Sequence, residues 1–361
     1  MRILHVQFVD PVCGMGGAEQ VVFNLAEAMK ERYRFHVQGA VNECRLANRL
    51  REAHIPVSTI FREKFKTLTT LKKMGEIIGS FRPDLVHSHH RYATFLIDIF
   101  FKRQVKILHT EHLWNSNKRA FFRYGHFAAA VSEEVRSNLI SRYKVPPERV
   151  KTIPNAVRPR VADPVRLRAL QVKYPKRHDQ LFGVCLGRLE KQKGHRYLME
   201  AVQRLPPAYR DRLKFFLAGE GTLKSSLQMT AAEKGVAGNF IFLDFYPDVA
   251  ELLSLGDFLI LPSLWEGMPL AVIEAYSASR PVIATDIPGT REIVINEKTG
   301  RLVPPLSGAA LADGLQWALD STAAFKTMGE EAYCYWKAHF SFDAMIETYY
   351  ELYLQIIGAK Y

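Results

Sequence analysis

Residues 258–275 read FLILPSLWEGMPLAVIEA. Phe258 to Leu261 form a short unbroken apolar run, the mark of a strand buried on both faces, and Pro262-Ser263 ends it. A helix is expected almost at once. Pro269 suits a first helical turn, where its missing N–H costs nothing, and Leu270, Val272, Ile273 and Ala275 supply apolar faces. Glu266 then lies in the loop and Glu274 in the second turn. Both carboxylates can reach a ligand seated over the helix start, where free N–H groups and the macrodipole favour an anion such as phosphate.

The same phrase recurs outward along the chain. In the second half, a strand at 181–187 leads through a basic loop, 188–194, to a helix at 195–205. Further strands are expected at 214–218, 240–243 and 281–284. The first half opens with a strand at 2–9, a glycine-rich loop at 11–17 and a helix at 18–30, followed by strands at 84–87, 105–108, 127–131 and 150–153. Such alternation implies an α/β chain of two doubly wound domains, each with its ligand site at the carboxyl ends of parallel strands. Pro154, Pro159, Pro164 and Pro175 cluster around 156–176 and mark the join, giving domains at 1–160 and 161–341. A last amphipathic segment, 342–357, is rich in Tyr and Leu.

Composition bounds the function. With 361 residues, 48% hydrophobic and 24% charged, the chain can bury two cores and is not a disordered sequence. Cys13, Cys44, Cys185 and Cys334 are scattered without a C-x-x-C pair, which suggests free thiols in a reducing compartment and a cytoplasmic protein. Residues 1–9 hold one basic residue, with His5 and Gln7 breaking the apolar run, so they read as a strand and not a signal peptide. No apolar run approaches the roughly 20 residues a membrane helix needs.

The net charge of +12 is lopsided: residues 1–160 carry 27 Lys+Arg against 14 Asp+Glu, while 161–361 carry 22 against 23. Basic clusters at 62–66 with Lys72-Lys73, at Lys102-Arg103 with Lys106, and at Lys118-Arg119 with Arg123 adjoin apolar residues. An anionic membrane surface is the expected partner. Nucleic acid is not, because no recognition module accompanies the charge.

Three loops carry candidate chemistry. Gly16 and Gly17, between strand and helix, would let backbone approach a phosphate or sugar closely. Glu19 stands where a dinucleotide fingerprint needs its third glycine, which removes the main support for NAD chemistry. Arg188 and Lys193 offer two cations that could neutralise a diphosphate leaving group, whereas the Walker pattern of an ATPase is absent. His87, His89 and His90 have the composition of metal ligands, but neighbouring strand residues face opposite ways and no cysteine or carboxylate completes a site, so a polar-network role is expected. The chain also lacks an Asp-x-Asp to chelate a metal diphosphate.

Taken together, Gly16-Gly17, Arg188 with Lys193-Gly194, residues 218–221 (AGEG), Glu266-Gly267-Met268-Pro269 and Glu274-Ala275 resemble family 4 of the retaining, nucleotide-sugar-dependent glycosyltransferases. Residues 83–89 (PDLVHSH), 131–133 (VSE), 153–157 (IPNAV) and 286–292 (DIPGTRE) extend the likeness over nearly the whole chain. The resemblance implies the GT-B fold, two Rossmann-like domains facing each other across a cleft, with the final helix, 342–361, crossing back to the first. It assigns the acceptor to the first domain and the donor to the second.

By the same resemblance Glu274 holds the ribose hydroxyls, Glu266 the donor sugar together with the Gly267, Met268, Pro269 and Leu270 segment, and Arg188 and Lys193 the diphosphate. Gly16 and Gly17 approach the diphosphate from the other side. A histidine touching the donor sugar maps best to His112, with His109 as its near rival. Ala156 stands where the family often has glycine, and Phe245 where it often has a small residue.

The implied reaction is a retaining, metal-independent hexosyl transfer to a hydroxyl, with no cofactor and UDP favoured over GDP or ADP in the donor. A lipid-linked or other cell-envelope acceptor would suit the basic first half, placing the enzyme in the cytoplasm at the inner face of the cell membrane. Two other classes stay open. A sugar-nucleotide epimerase would convert the donor without an acceptor, and a non-catalytic anionic-lipid binder would leave the Glu266/Glu274 and Arg188/Lys193 set unexplained.

Overall fold

The computed structural model describes residues 1–9, 15–60, 67–114 and 122–358. The basic clusters at 62–66 and Lys118-Arg119, with Cys13 and Gly14, lie outside them.

The first half runs β1 (Arg2–Gln7), α1 (Gly17–Glu31), β2 (His36–Val41), α2 (Arg45–Glu52), β3 (Val57–Thr59), α3 (Thr67–Phe81), β4 (Leu85–Ser88), α4 (Arg91–Phe101), β5 (Lys106–Glu111), β6 (Phe127–Ala130), α5 (Glu133–Ser141) and β7 (Val150–Thr152). The second runs α6 (Pro164–Lys173), β8 (Leu181–Leu186), α7 (His195–Arg204), α8 (Pro207–Arg210), β9 (Leu213–Ala218), α9 (Lys224–Glu233), β10 (Phe240–Leu243), α10 (Val249–Leu255), β11 (Phe258–Leu261), α11 (Leu270–Ser277), β12 (Val282–Thr285), β13 (Gly300–Val303), α12 (Gly308–Asp320) and α13 (Thr322–His339). A last helix, α14, spans Phe342–Ile357.

Two compact units result, 1–155 with 342–361 and 156–341. Each holds one all-parallel sheet. The first has the order β3-β2-β1-β4-β5-β6-β7 and the second β10-β9-β8-β11-β12-β13. Both sequences of strands reverse direction once, between β1 and β4 and between β8 and β11. At such a reversal the outgoing chains diverge to opposite sides, opening a crevice beyond the carboxyl ends of the two strands.

Several boundaries differ from the sequence reading for physical reasons. β5 continues to Glu111, three residues past the expected end at 108, because His109, Thr110 and Glu111 pair with β6 and find buried polar partners. β2, β3 and β13 are additional strands; β3 has only three residues and β13 begins Gly-Arg, so neither shows an apolar run. Within the proline-rich stretch read as the join, 164–173 forms α6. The Asp163 carboxylate caps its start by accepting from the N–H groups of Val165 and Arg166 at 2.8 and 3.1 Å, and Pro164 opens its first turn.

α14 packs into the first unit against α1, β4 and β5. Tyr349 and Tyr353 are wholly buried there, while Tyr350 stacks on Tyr33 at 3.9 Å between ring centroids. On the first sheet, α3 and α4 share one apolar cluster, Met74, Ile77 and Ile78 meeting Ala93 and Ile97 above Val86 and Ile107. Their outer surfaces therefore lie on the same side of that sheet.

Candidate functional site

Four predicted side chains come from the loops and helix that flank the β8/β11 reversal in the second unit. After β8 the chain turns through Gly187 at φ +146°, passes Arg188 and Lys193, and enters α7 through Gly194 at φ +64°, a left-handed conformation that side chains resist. A Cβ on Gly194 would sit 2.0 Å from the carbonyl oxygen of Pro262, so this glycine is what allows the β8 and β11 loops to touch. Two hydrogen bonds stitch the loops there. The Leu264 N–H donates to the Gln192 carbonyl at 2.7 Å, and the Gln192 side-chain amide donates to the Trp265 carbonyl at 2.9 Å.

That seam carries Lys193 to Glu266. The ammonium Nζ lies 2.5 Å from Glu266 Oε1, which also accepts from the Ser263 hydroxyl at 2.7 Å. Both side chains are largely buried, so each charge is stabilised chiefly by the other. Gly267, Met268, Pro269 and Leu270 are buried behind Glu266. Gly289, at φ +88°, backs the Glu266-Gly267 segment so closely that a Cβ there would lie 2.4 Å from the Gly267 carbonyl oxygen. Arg188 donates from Nη2 to Gln192 Oε1 at 3.4 Å, holding the second cation on the same loop.

Glu274 sits in the second turn of α11, as its spacing from the strand predicted. Its carboxylate makes no hydrogen bond or ion pair among the described residues. Burial pushes its pKa up to about 7, with Arg160 pulling in the opposite direction. The folded state thus holds this proton more tightly than the unfolded chain; the stability it contributes below the ordinary 4.5 is lost as the pH rises through about 7. A carboxyl whose pKa is raised and that has no partner among the described residues is disposed to take hydroxyl donors. The pair Glu266/Glu274 is therefore asymmetric: one is already matched by a cation, the other unmatched.

In the first unit, Gly16 and Gly17 stand at the start of α1. The Gly16 N–H donates to Glu19 Oε2 at 3.0 Å, and Gln7 Nε2 holds the other carboxylate oxygen at 2.9 Å. Glu19, which departs from the dinucleotide pattern, thus serves as the helix's own N-terminal acceptor.

His112 follows β5 directly, and the structure separates it from its rival. His109 is buried on the opposite face, its Nδ1 sharing a 2.8 Å hydrogen bond with the Thr94 hydroxyl and its Nε2 3.5 Å from Glu111. Burial would raise the Glu111 carboxyl, but the His109 hydrogen bond and the Arg91 guanidinium hold it down to about 2. His112 is only partly buried, and its Nε2 lies 3.1 Å from Nδ1 of His89. Burial depresses its pKa to about 4.

His5 and His89 were not singled out with His112 in the sequence. The signal was present in the strand order: His5 and His87 are register partners on adjacent strands, and His89 projects to the same side as His87 two residues on. Nitrogens of His5, His87 and His89 lie within 4.8 Å of one another. Both nitrogens of His87 have partners, Tyr353 Oη at 2.6 Å and Thr110 Oγ1 at 2.7 Å, and Thr110 Oγ1 in turn meets Tyr349 Oη at 3.3 Å. The residues form a polar network closed by the tyrosines of α14.

Comparison with known proteins gives the chain its family and fold. The chain matches the family description "Glycosyltransferase Family 4" over residues 15–161 and "Glycosyl transferases group 1" over 168–334. It is 28% identical over 257 residues to an uncharacterized glycosyltransferase of Methanocaldococcus jannaschii, covering 64% of this chain and 63% of that protein. It is also 28% identical over 264 residues to the Escherichia coli UDP-Gal:alpha-D-GlcNAc-diphosphoundecaprenol alpha-1,3-galactosyltransferase, covering 66% of this chain and 67% of that one. Among solved structures, Anabaena HepE in complex with UDP-glucose superposes with a TM-score of 0.85 at 19% identity, covering 98% and 99% of the two chains. That likeness establishes the fold as GT-B.

Proposed function

We propose, from the premise that this chain belongs to glycosyltransferase family 4, that it moves a hexosyl group from a nucleoside-diphosphate sugar to a hydroxyl with retention of anomeric configuration. The observation that carries this reading is the set at the β8/β11 reversal, where Arg188 and the Lys193–Glu266 pair occupy stitched loops and Glu274 waits unpartnered on the adjoining helix. In this reading Glu274 takes the ribose hydroxyls, Glu266 and the 267–270 segment the donor sugar, and Arg188 and Lys193 the diphosphate. Gly16 and Gly17 offer the diphosphate a stretch free of side chains, and His112 contacts the donor sugar.

The chemistry separates charge. The bond from the anomeric carbon to the phosphate oxygen breaks with its electron pair going to the phosphate, and the acceptor hydroxyl attacks the same face while its proton passes to the departing phosphate. Two fixed cations stabilise the negative charge as it grows, so no metal is required. UDP is the favoured nucleotide; HepE was solved with UDP-glucose, and the E. coli relative is named for UDP-galactose.

Screening nucleotide sugars for acceptor-dependent release of nucleoside diphosphate tests the proposal. With the right donor, Glu274→Ala should lose about 10²-fold in kcat/KM, because hydrogen bonds to a charged carboxylate are each worth about 1.5–3 kcal/mol. The wild-type donor KM should rise as the pH falls below about 7 and the carboxylate takes its proton, whereas Glu274→Gln should show no such rise. Equal activity in wild type and Glu274→Ala would remove Glu274 from the site. Donor conversion without acceptor would favour an epimerase.

The acceptor in this reading is lipid-linked, as in the printed name of the E. coli relative, and the first unit docks on an anionic membrane. Its α3/α4 side exposes Leu68, Ile99 and Phe100 together with Lys72, Lys73, Lys102 and Arg103. Binding to vesicles containing phosphatidylglycerol is expected to weaken with salt. Replacing Lys72, Lys102 and Arg103 by alanine should lower it about a hundredfold, at about 1 kcal/mol per basic residue. Salt-independent binding, or binding unchanged in the triple variant, would rule this surface out.

A further inference from the structure

The three histidines His5, His89 and His112 stand in single file. His5 Nδ1 lies 3.2 Å from His89 Nε2, and His89 Nδ1 lies 3.1 Å from His112 Nε2. Consecutive rings are near-parallel, at 22° and 24°, with centroids 5.4 Å apart in both steps. At the inner end His5 is fully buried, and its Nε2 has no hydrogen-bond partner among the described residues. At the outer end His112 Nδ1 is likewise without one. His87 packs 3.9 Å from His89 but spends both nitrogens on Tyr353 and Thr110, so it does not enter the file.

A neutral imidazole has one N–H and one lone pair, so a contact between two ring nitrogens can hold only one proton. Two such contacts in series tie three tautomers together. Either every ring carries its proton on Nδ1, or every ring carries it on Nε2. The second arrangement would leave an N–H on His5 Nε2 buried in the core with no acceptor among the described residues, whereas the first leaves there only an unused lone pair. An orphaned buried N–H is the rarer of the two.

We infer that His5 and His89 are positioning residues that lock His112 as its Nδ1–H tautomer, so that His112 presents a fixed hydrogen-bond donor and not an acceptor. The ligand group it suits is an oxygen with a free lone pair, such as a sugar hydroxyl or ring oxygen. A fixed donor costs no reorganisation when the ligand arrives. Desolvation lowers the pKa of all three rings and supports the arrangement, since a proton added to His112 Nε2 would collide with the one donated by His89.

The file can be read directly in the free protein, labelled with ¹⁵N-histidine and observed by NMR near pH 7.5. The expected spectrum has Nδ1–H on His5, His89 and His112, with ¹⁵N–¹⁵N couplings across both N–H···N contacts. A His112 proton on Nε2, a charged His112, or stoichiometric zinc held by His5, His87 and His89 would overturn the inference. His89→Gln keeps a donor toward His112 and an acceptor toward His5, and should preserve the His112 tautomer. His89→Leu fills the space without either, and should release it. Should His89→Leu fail to fold, the wild-type spectrum alone decides.

A kinetic arm rests on the proposed sugar contact of His112. There His89→Leu should lower kcat about 10- to 100-fold, less than the roughly 10⁴ lost when a wrong tautomer disables a general base. His89→Gln should recover most of it. The expected spectrum with unchanged kinetics would remove His112 from the reaction and leave the file standing.

Discussion

Lys193→Met is expected to lower kcat by about 10²- to 10³-fold, the loss found when a single preorganised donor to a developing oxyanion is removed. The ammonium has a double duty. It stands beside the phosphate position proposed for the donor and also neutralises Glu266 at 2.5 Å, so its removal strands a carboxylate that is 5% exposed. Breaking a buried pair from one side costs about 3–5 kcal/mol, and the partial exposure of Lys193 puts this case at the lower end. The variant should therefore lose stability as well as rate. Pairing it with Glu266→Gln separates the two effects: the double variant should regain most of the midpoint in urea unfolding while turnover stays low. Recovery of turnover with stability would mean that Lys193 acts only by holding Glu266.

Gly194→Ala should strongly destabilise the second unit. Its φ of +64° costs a side chain about 1–3 kcal/mol, and the added carbon would meet the Pro262 carbonyl oxygen at 2.0 Å, adding about 1–3 kcal/mol of overpacking that backbone cannot easily relieve. Gly235 provides the control. Its φ is +66° but a Cβ there meets nothing within 4 Å, so Gly235→Ala should show the conformational cost alone. Unfolding midpoints of the two variants measure the difference. Donor affinity should fall only in Gly194→Ala, because only that change parts the loops carrying Lys193 and Glu266. Equal midpoints would mean that the close approach of the loops carries no cost.

Much of the second unit was legible because its signals are local. A four-residue apolar run, a proline and two glutamates at fixed spacing give strand, loop and helix in order, and β11 and α11 follow that pattern. What spacing could not reveal was pairing across loops: that Lys193 meets Glu266, that Ser263 and Gln192 support them, and that Gly194 permits the contact. The histidines failed for a similar reason. His5 and His89 are 84 residues apart, and only the strand order, which depends on non-local pairing, brings them together. Edge strands such as β3 and β13 escaped because short, partly polar segments carry no apolar periodicity.

The tyrosines of α14 bear on the order in which the chain is made. His87 and Thr110 are hydrogen-bonded to Tyr353 and Tyr349, more than 230 positions later in sequence, with the whole of the second unit encoded between. On the ribosome the second unit, a continuous stretch, has all its partners as soon as it emerges. The first unit does not: although translated first, it leaves His87 Nδ1 and the Thr110 hydroxyl without their tyrosine partners until α14 arrives, so the half of the molecule that is born first is the half that is finished last.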